Sequence, residues 1–192
     1  MCGLGLVFHY QTRAPVDRAE LDRMNACMQC RGPDSSGTWV LPGPGHVGFT
    51  HRRLAILDLS ASGHQPMTRD DQTRVLTYNG EIYNYPALRI QLENDGFVFE
   101  SDSDTEALLY LYKAYGREMV DHLQGMFAFA IWDDAKQGLF LARDPYGIKP
   151  LYYADDGTTF RAASQVKALV ETGAVDSAPE PAGHAGFFLW GH

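Results

Sequence analysis

The chain has 192 residues, 45 % of them hydrophobic, which is enough for one sizeable core and too few for two ordinary domains with a linker. Sixteen basic side chains against twenty-four acidic ones leave a net charge of −8, and this argues against a nucleic-acid partner, because phosphate binding needs a basic face. No apolar run approaches membrane-spanning length, no basic-then-apolar leader opens the chain, and three cysteines are an odd number for a disulfide scaffold, so a cytoplasmic protein is expected.

In chain order, Gly3–His9 reads as a short buried strand. Asp17–Cys30 reads as a helix, with Leu21, Met24 and Met28 at helical spacing and Pro15 just before it. RGPDSSG, residues 31–37, has loop composition. Gly37–Leu41, Val47–Thr50 and Arg74–Tyr78 are strand candidates bounded by Pro and Gly clusters. Asn79-Gly80 then reads as a hairpin turn, since that pair favours positive φ. Tyr85–Asp95 looks helical and stops at Gly96. Ser103-Asp104-Thr105-Glu106 has the form of a capping box opening an apolar helix, Asp104–Tyr115. Met126–Asp133, Leu139–Arg143, Leu151–Ala154 and Thr159–Ala163 read as antiparallel strands, with Asp155-Asp156-Gly157 turning between the last two. Ser164 is expected to cap a short helix running to about Thr172. Strands and helices come in runs and do not alternate, so the fold class is α+β with antiparallel sheet. Residues 174–192 change character and end in Phe187-Phe188-Leu189-Trp190, which reads as a docking segment.

Cys2 becomes interesting if Met1 is removed, as is usual before a small residue. Its thiol would then lie beside a free α-amine, whose reference pKa of roughly 7.7–8.0 leaves much of it neutral and able to accept the thiol proton. Nucleophile and base would belong to one residue. Alone, a cysteine here reads as a small hydrophobe at a strand start.

The motifs further on change that balance. MCGLGLVF, RGPDSSG (31–37), HRRLAILDLS (51–60), GHQPM (63–67), NGEIYNY (79–85), SDSDTE (101–106), LQGMFAFAIWD (123–133) and ARDPYGIKPLYY (142–153) occur in that order. Together they resemble the glutaminase domain of glutamine-hydrolysing asparagine synthetases, a class II glutamine amidotransferase, from Cys2 to about Leu169. The resemblance implies a four-layer N-terminal-nucleophile sandwich, two antiparallel sheets flanked by helices. It implies a domain over residues 2–173, with 174–192 leading into a synthetase domain absent from this sequence.

The resemblance also implies roles. Cys2 is the nucleophile. Asn79 and Gly80 hold the oxyanion. Arg53 takes the glutamine α-carboxylate, a task that suits an arginine fork. Asp104 and Glu81 take the α-ammonium, while Arg31 and Gly32 buttress Cys2. Without the resemblance, Asn79-Gly80 is a plain turn, Asp104 a helix-capping acid and Arg53 a solvated charge. Glu106 is expected to act only as the capping-box partner, His51 as a structural hydrogen bonder, and Arg143, Asp144 and Lys149 as loop supports. Cys27 and Cys30 form a CxxC, but a structural zinc site needs four ligands and no second pair is present. The glutaminase half needs no metal or organic cofactor. ATP and Mg are expected only in the synthetase domain. Glutamine, that synthetase domain and a homodimer are the partners implied, with no nucleic acid and no membrane. Three other readings stay open: an amidotransferase serving a different acceptor, a non-catalytic interaction module, and a metal- or redox-binding module built on Cys27 and Cys30.

Overall fold

The computed structural model describes residues 1–43, 45–55, 61–69 and 73–191; residues 56–60 of the HRRLAILDLS block lie outside these. Two antiparallel sheets form the centre. The first has the order β2-β3-β1-β9-β8, from β1 (Gly3–Phe8), β2 (Ser35–Val40), β3 (Val47–Arg53), β8 (Tyr152–Asp155) and β9 (Phe160–Ala163). The second has the order β4-β5-β6-β7, from β4 (Met67–Thr68), β5 (Arg74–Ile82), β6 (Gly125–Asp133) and β7 (Gly138–Arg143).

Period-two alternation sorts each strand's residues between two faces. Leu6, Val47, Phe49, Val75, Ala130, Trp132 and Ala162 meet between the sheets. On the outer face of the first sheet, Val7 and Ala163 pack with Leu21, Met24 and Met28 of α1 (Arg18–Cys27) and with Ala168 and Leu169 of α4 (Val166–Val170). On the outer face of the second, Leu76, Tyr78, Phe127, Phe129 and Ile131 pack against α2 (Tyr85–Asn94) and α3 (Asp104–Tyr115). The result is helix, sheet, sheet, helix, as the sequence led us to expect. Burying a side chain the size of Phe49 contributes about 2–3 kcal/mol, so each layer contact is substantial.

Several local readings need correction. Asn79-Gly80 is not a turn: both residues lie inside β5, paired with Ala128 and Phe127 of β6. The long apolar β6 gives β5 a partner along its whole length, and this ladder outweighs the turn preference of the pair. α1 ends at Cys27, with Met28 as C-cap, so Cys30 lies beyond the helix. Ser35 and Ser36, read as loop, open β2 opposite Arg53 and Arg52. Ser164 does not cap α4; its hydroxyl accepts from Leu4 N, and Gln165 holds the N-cap position. Ser103 does cap α3, accepting from Thr105 N. Glu106, however, does not return to Ser103: its carboxylate accepts from the amides of Glu100 and Ser101 and pairs with Arg69 at 3.1 Å. α5 (Pro181–Trp190) closes the described chain as a helix with no buried residue.

Candidate active site

The site lies at one end of the crevice between the sheets, where β1 begins and β3 and β5 end. In the antiparallel pairing of β1 with β3, Gly3 stands opposite Arg52. One residue further along, that register sets Cys2 opposite Arg53, and opposed residues share a face. Cys2 also shares its parity with Leu4 and Leu6, and Arg53 with Val47, Phe49 and His51, so both face the second sheet. On β5 the facing set is Val75, Thr77, Asn79 and Glu81. One cavity is accordingly lined by Cys2, Arg53, Leu54, Gln65, Tyr78, Asn79, Gly80, Glu81, Asp104 and Lys149, with Met1 beside them.

The thiol is held by backbone. Leu54 N donates to Cys2 Sγ at 3.3 Å, and Sγ approaches Leu54 O at 3.6 Å. Burial pushes the Cys2 pKa up, against the Leu54 contact, the N-terminal charge and Arg53, which pull it down. Arg31 Nε donates to Cys2 O at 2.9 Å, which pins the main chain of the cysteine. Gly32 lets this turn press on the end of β3: a Cβ there would fall 2.4 Å from Arg52 C and 2.5 Å from Arg53 N. The pair expected to buttress Cys2 therefore touches both Cys2 and the strand that carries Arg53.

Asn79 Nδ2 is buried and has no hydrogen-bond partner among the described residues. Buried amides are nearly always paired, so an idle donor beside a thiol is informative. The Gly80 amide is placed by the ladder. Tyr83 N bonds to Gln124 O and Asp134 N to Thr73 O, so odd residues of β5 exchange bonds with β6, and even residues point their amides away. On that free edge Tyr78 N meets Gln65 Oε1, and Ile82 N meets Asp104 Oδ2 at 3.0 Å. The Gly80 amide leaves the same edge, between those two. A side chain at Gly80 would strike Met126 O at 2.4 Å and Phe127 Cα at 2.8 Å, which explains the glycine.

Asp104 opens α3 and is buried. Its Oδ2 accepts from Tyr78 OH at 2.8 Å and from Ile82 N. Burial raises its pKa, while those donors and the Thr105 amide pull the other way. The Tyr78 phenol, pushed well up by burial and by Asp104, stays protonated as a donor. Glu81 lies further along β5 and lines the same cavity.

His51 is a structural group, as expected. It is fully buried, with Nδ1 3.1 Å from Thr77 Oγ1. Burial, then His64 and Arg53, lower its pKa to about 3, so it is neutral at working pH. The unfolded imidazole titrates near 6.5 and takes up a proton that the folded one refuses. Stability therefore falls as pH drops below 6.5, by up to about 1.4 kcal/mol per pH unit from this group. Urea unfolding of wild type and His51→Gln between pH 6 and 5 should show a flatter pH dependence in the variant. His9 and His46, also lowered by burial, contribute alike to both proteins. Equal slopes would mean that His51 titrates freely in the fold.

Sequence reasoning named Cys2, Arg53, Asn79, Gly80, Glu81 and Asp104 for the site, and the structure brings all of them to one cavity. It missed Gln65, Tyr78, Leu54 and Lys149. Gln65 and Lys149 fall inside the quoted blocks GHQPM and ARDPYGIKPLYY, but sequence reasoning assigned Gln65 no role and Lys149 only that of a loop support. Cys27 is half-buried and Cys30 exposed, both are free thiols, and no group of three or more metal-ligating side chains occurs among the described residues.

A family model described as a glutamine amidotransferase domain matches residues 1–190. Asparagine synthetases [glutamine-hydrolyzing] 3 and 1 of Bacillus subtilis (strain 168) are 41 % and 45 % identical to the chain over 172 residues. In both cases the match covers 88 % of this chain and 27 % of the relative, so the chain spans about a quarter of their length. Among solved structures, the glutamine phosphoribosylpyrophosphate amidotransferase of B. subtilis superposes with a TM-score of 0.72 at 21 % identity, over 90 % of this chain and 44 % of that one. At that identity the likeness speaks for the fold alone.

Proposed function

The chain belongs to the glutamine amidotransferase domain family, and we propose that it hydrolyses glutamine to glutamate and ammonia with Cys2 as nucleophile. The observation that carries this reading is the idle, buried Asn79 amide on the cavity that holds the Cys2 thiol. Removal of Met1, which lines the same cavity, frees the Cys2 α-amine to act as base. The thiolate attacks the glutamine side-chain carbonyl, and the Asn79 amide and Gly80 N–H hold the oxyanion. The C–N bond breaks, and ammonia leaves with the proton taken from the thiol. A γ-glutamyl thioester remains on Cys2. Water, giving a proton to the same amine, cleaves it to glutamate and restores the thiol. Arg53 takes the α-carboxylate, while Asp104 and Glu81 take the α-ammonium.

The ammonia serves a synthetase portion that amidates aspartate to asparagine, in keeping with the names of the relatives. ATP and Mg are needed only there. Residues 2–173 form the amidotransferase domain, and 174–192 lead toward the synthetase portion. Four large side chains on α5 support that docking role, since Phe187, Phe188, Leu189 and Trp190 are 61–85 % exposed. No helix of the described residues is long and apolar enough to cross a membrane.

The test is to incubate the purified chain with glutamine, follow glutamate release and record the intact mass. Glutamate release by protein lacking Met1 is the expected result. No release from protein lacking Met1, with or without an added synthetase portion, would overturn the reading.

A further inference from the structure

The loop 144–149, between β7 and β8, is wrapped around one carboxylate. Asp144 Oδ1 accepts from Tyr146 N at 3.1 Å and Ile148 N at 2.8 Å; its Oδ2 accepts from Phe127 N at 3.2 Å and Lys149 N at 3.0 Å. Burial pushes this carboxyl's pKa up, but the four amides together hold it low. Arg143 closes the loop from outside, donating to Lys149 O at 2.7 Å and Gly147 O at 2.6 Å. The loop thus has a fixed shape. It displays Tyr146, 89 % exposed, and buries Lys149, 6 % exposed.

The clasp also decides where Lys149 lies. Its amide shares an acceptor oxygen with Phe127 N, and Phe127 stands opposite Gly80 in the ladder. Lys149, Gly80 and Met126 line the same cavity. Arg53 comes from the other sheet. Among the described residues the Lys149 ammonium has neither a hydrogen bond nor an ion pair, although Asp104 and Glu81 line the same cavity. A cation on a cavity with no partner of its own favours negative charge that arrives there.

We propose that Lys149 is a positioning residue for the nucleophile: its ammonium, on the cavity that holds Cys2 and the oxyanion donors and without an acid of its own, favours negative charge at Cys2 and at the attacked carbonyl oxygen. This rests on Cys2 being the nucleophile, but its test does not require turnover. The charged and titratable groups facing Cys2 are its own amine, Arg31 in the turn after α1, Arg53 on β3, Tyr78 and Glu81 on β5, Asp104 on α3, and Lys149. Two of these cations, Arg31 and Arg53, have other work, since one pins Cys2 O and the other is placed for the substrate carboxylate. Lys149 has none. A nearby cation lowers the pKa of a thiol, by favouring the anion, and of an α-amine, by disfavouring the ammonium. Both effects bring the Cys2 pair toward its reactive form at lower pH.

The experiment measures the pH dependence of Cys2 alkylation by iodoacetamide in the full chain. Alkylation is followed on the Cys2 peptide by mass spectrometry, so that Cys27 and Cys30 do not interfere, and Met1 status is matched between proteins. Wild type is compared with Lys149→Met, Lys149→Gln and Lys149→Arg. The neutral variants should move the alkylation midpoint upward by about one pH unit, and arginine should restore it. Where the chain turns over glutamine, the acidic limb of kcat/KM should move the same way, so that activity on that limb falls about tenfold in the neutral variants. Lost packing alone would not move the midpoint. Coincident midpoints in wild type and whichever neutral variant melts as a folded protein would overturn the proposal. A raised midpoint in a chain inactive toward glutamine would keep it while removing the glutaminase reading.

Discussion

Cys2→Ala is expected to abolish glutamine hydrolysis while leaving the fold and glutamine binding in place. Among the described residues the Sγ atom hydrogen-bonds with the Leu54 backbone alone, and its neighbour Arg31 holds Cys2 through the carbonyl, which alanine retains. Loss of the thiol should therefore cost less than about 1 kcal/mol of stability, in the range of one modest hydrogen bond. No other thiol can substitute, because Cys27 and Cys30 lie on α1 and the turn after it, away from the cavity. Alanine at position 2 still permits removal of Met1, so processing is not confounded. Calorimetry should record glutamine binding close to that of wild type, and glutamate release should fall to the uncatalysed background. Residual hydrolysis in this variant would assign the nucleophile elsewhere.

The second large effect belongs to Asn79. Removing a fixed oxyanion donor costs on the order of 100-fold to 1000-fold in kcat. Asn79→Ala should show that loss with KM for glutamine changed far less, since the donor acts on charge that develops only during attack. Stability points the other way. Asn79 Nδ2 is buried without a partner, so truncation removes an unsatisfied donor and leaves no abandoned acceptor. An equal or slightly higher thermal midpoint is expected beside the catalytic loss. Asn79→Asp is the sharper variant: it keeps the size of the side chain but puts an anion where the oxyanion must form, and should be at least as inactive as alanine. Turnover of Asn79→Ala within about twofold of wild type would sink the oxyanion assignment.

Sequence and structure divide the credit by the range of the forces involved. The apolar alternation of β1, β5 and β6 and the helical spacing of α1, α2 and α3 are local patterns, and they suffice for the α+β class and for most element positions. The family blocks suffice to single out Cys2, Arg53, Asn79, Gly80, Glu81 and Asp104, which the fold gathers on one cavity. What local pattern does not decide is the state of Asn79-Gly80. Read alone the pair favours a turn, but β6 pairs with β5 past both residues and keeps them in a strand, so Asn79 lines the cavity that holds Cys2 and the Gly80 amide faces the open edge. Glu106 departs from its local reading for the same reason: its partners Arg69 and the amides of Glu100 and Ser101 reach it only once the chain has closed. Lys149 is the plainest case. Its burial depends on four amides gathered by Asp144, one of them from β6, seventeen positions away along the chain. By itself the sequence determined which residues are the candidates for the chemistry. Register between strands and the closing of loops decided which way they face, because those are set by hydrogen-bond partners far apart in the chain.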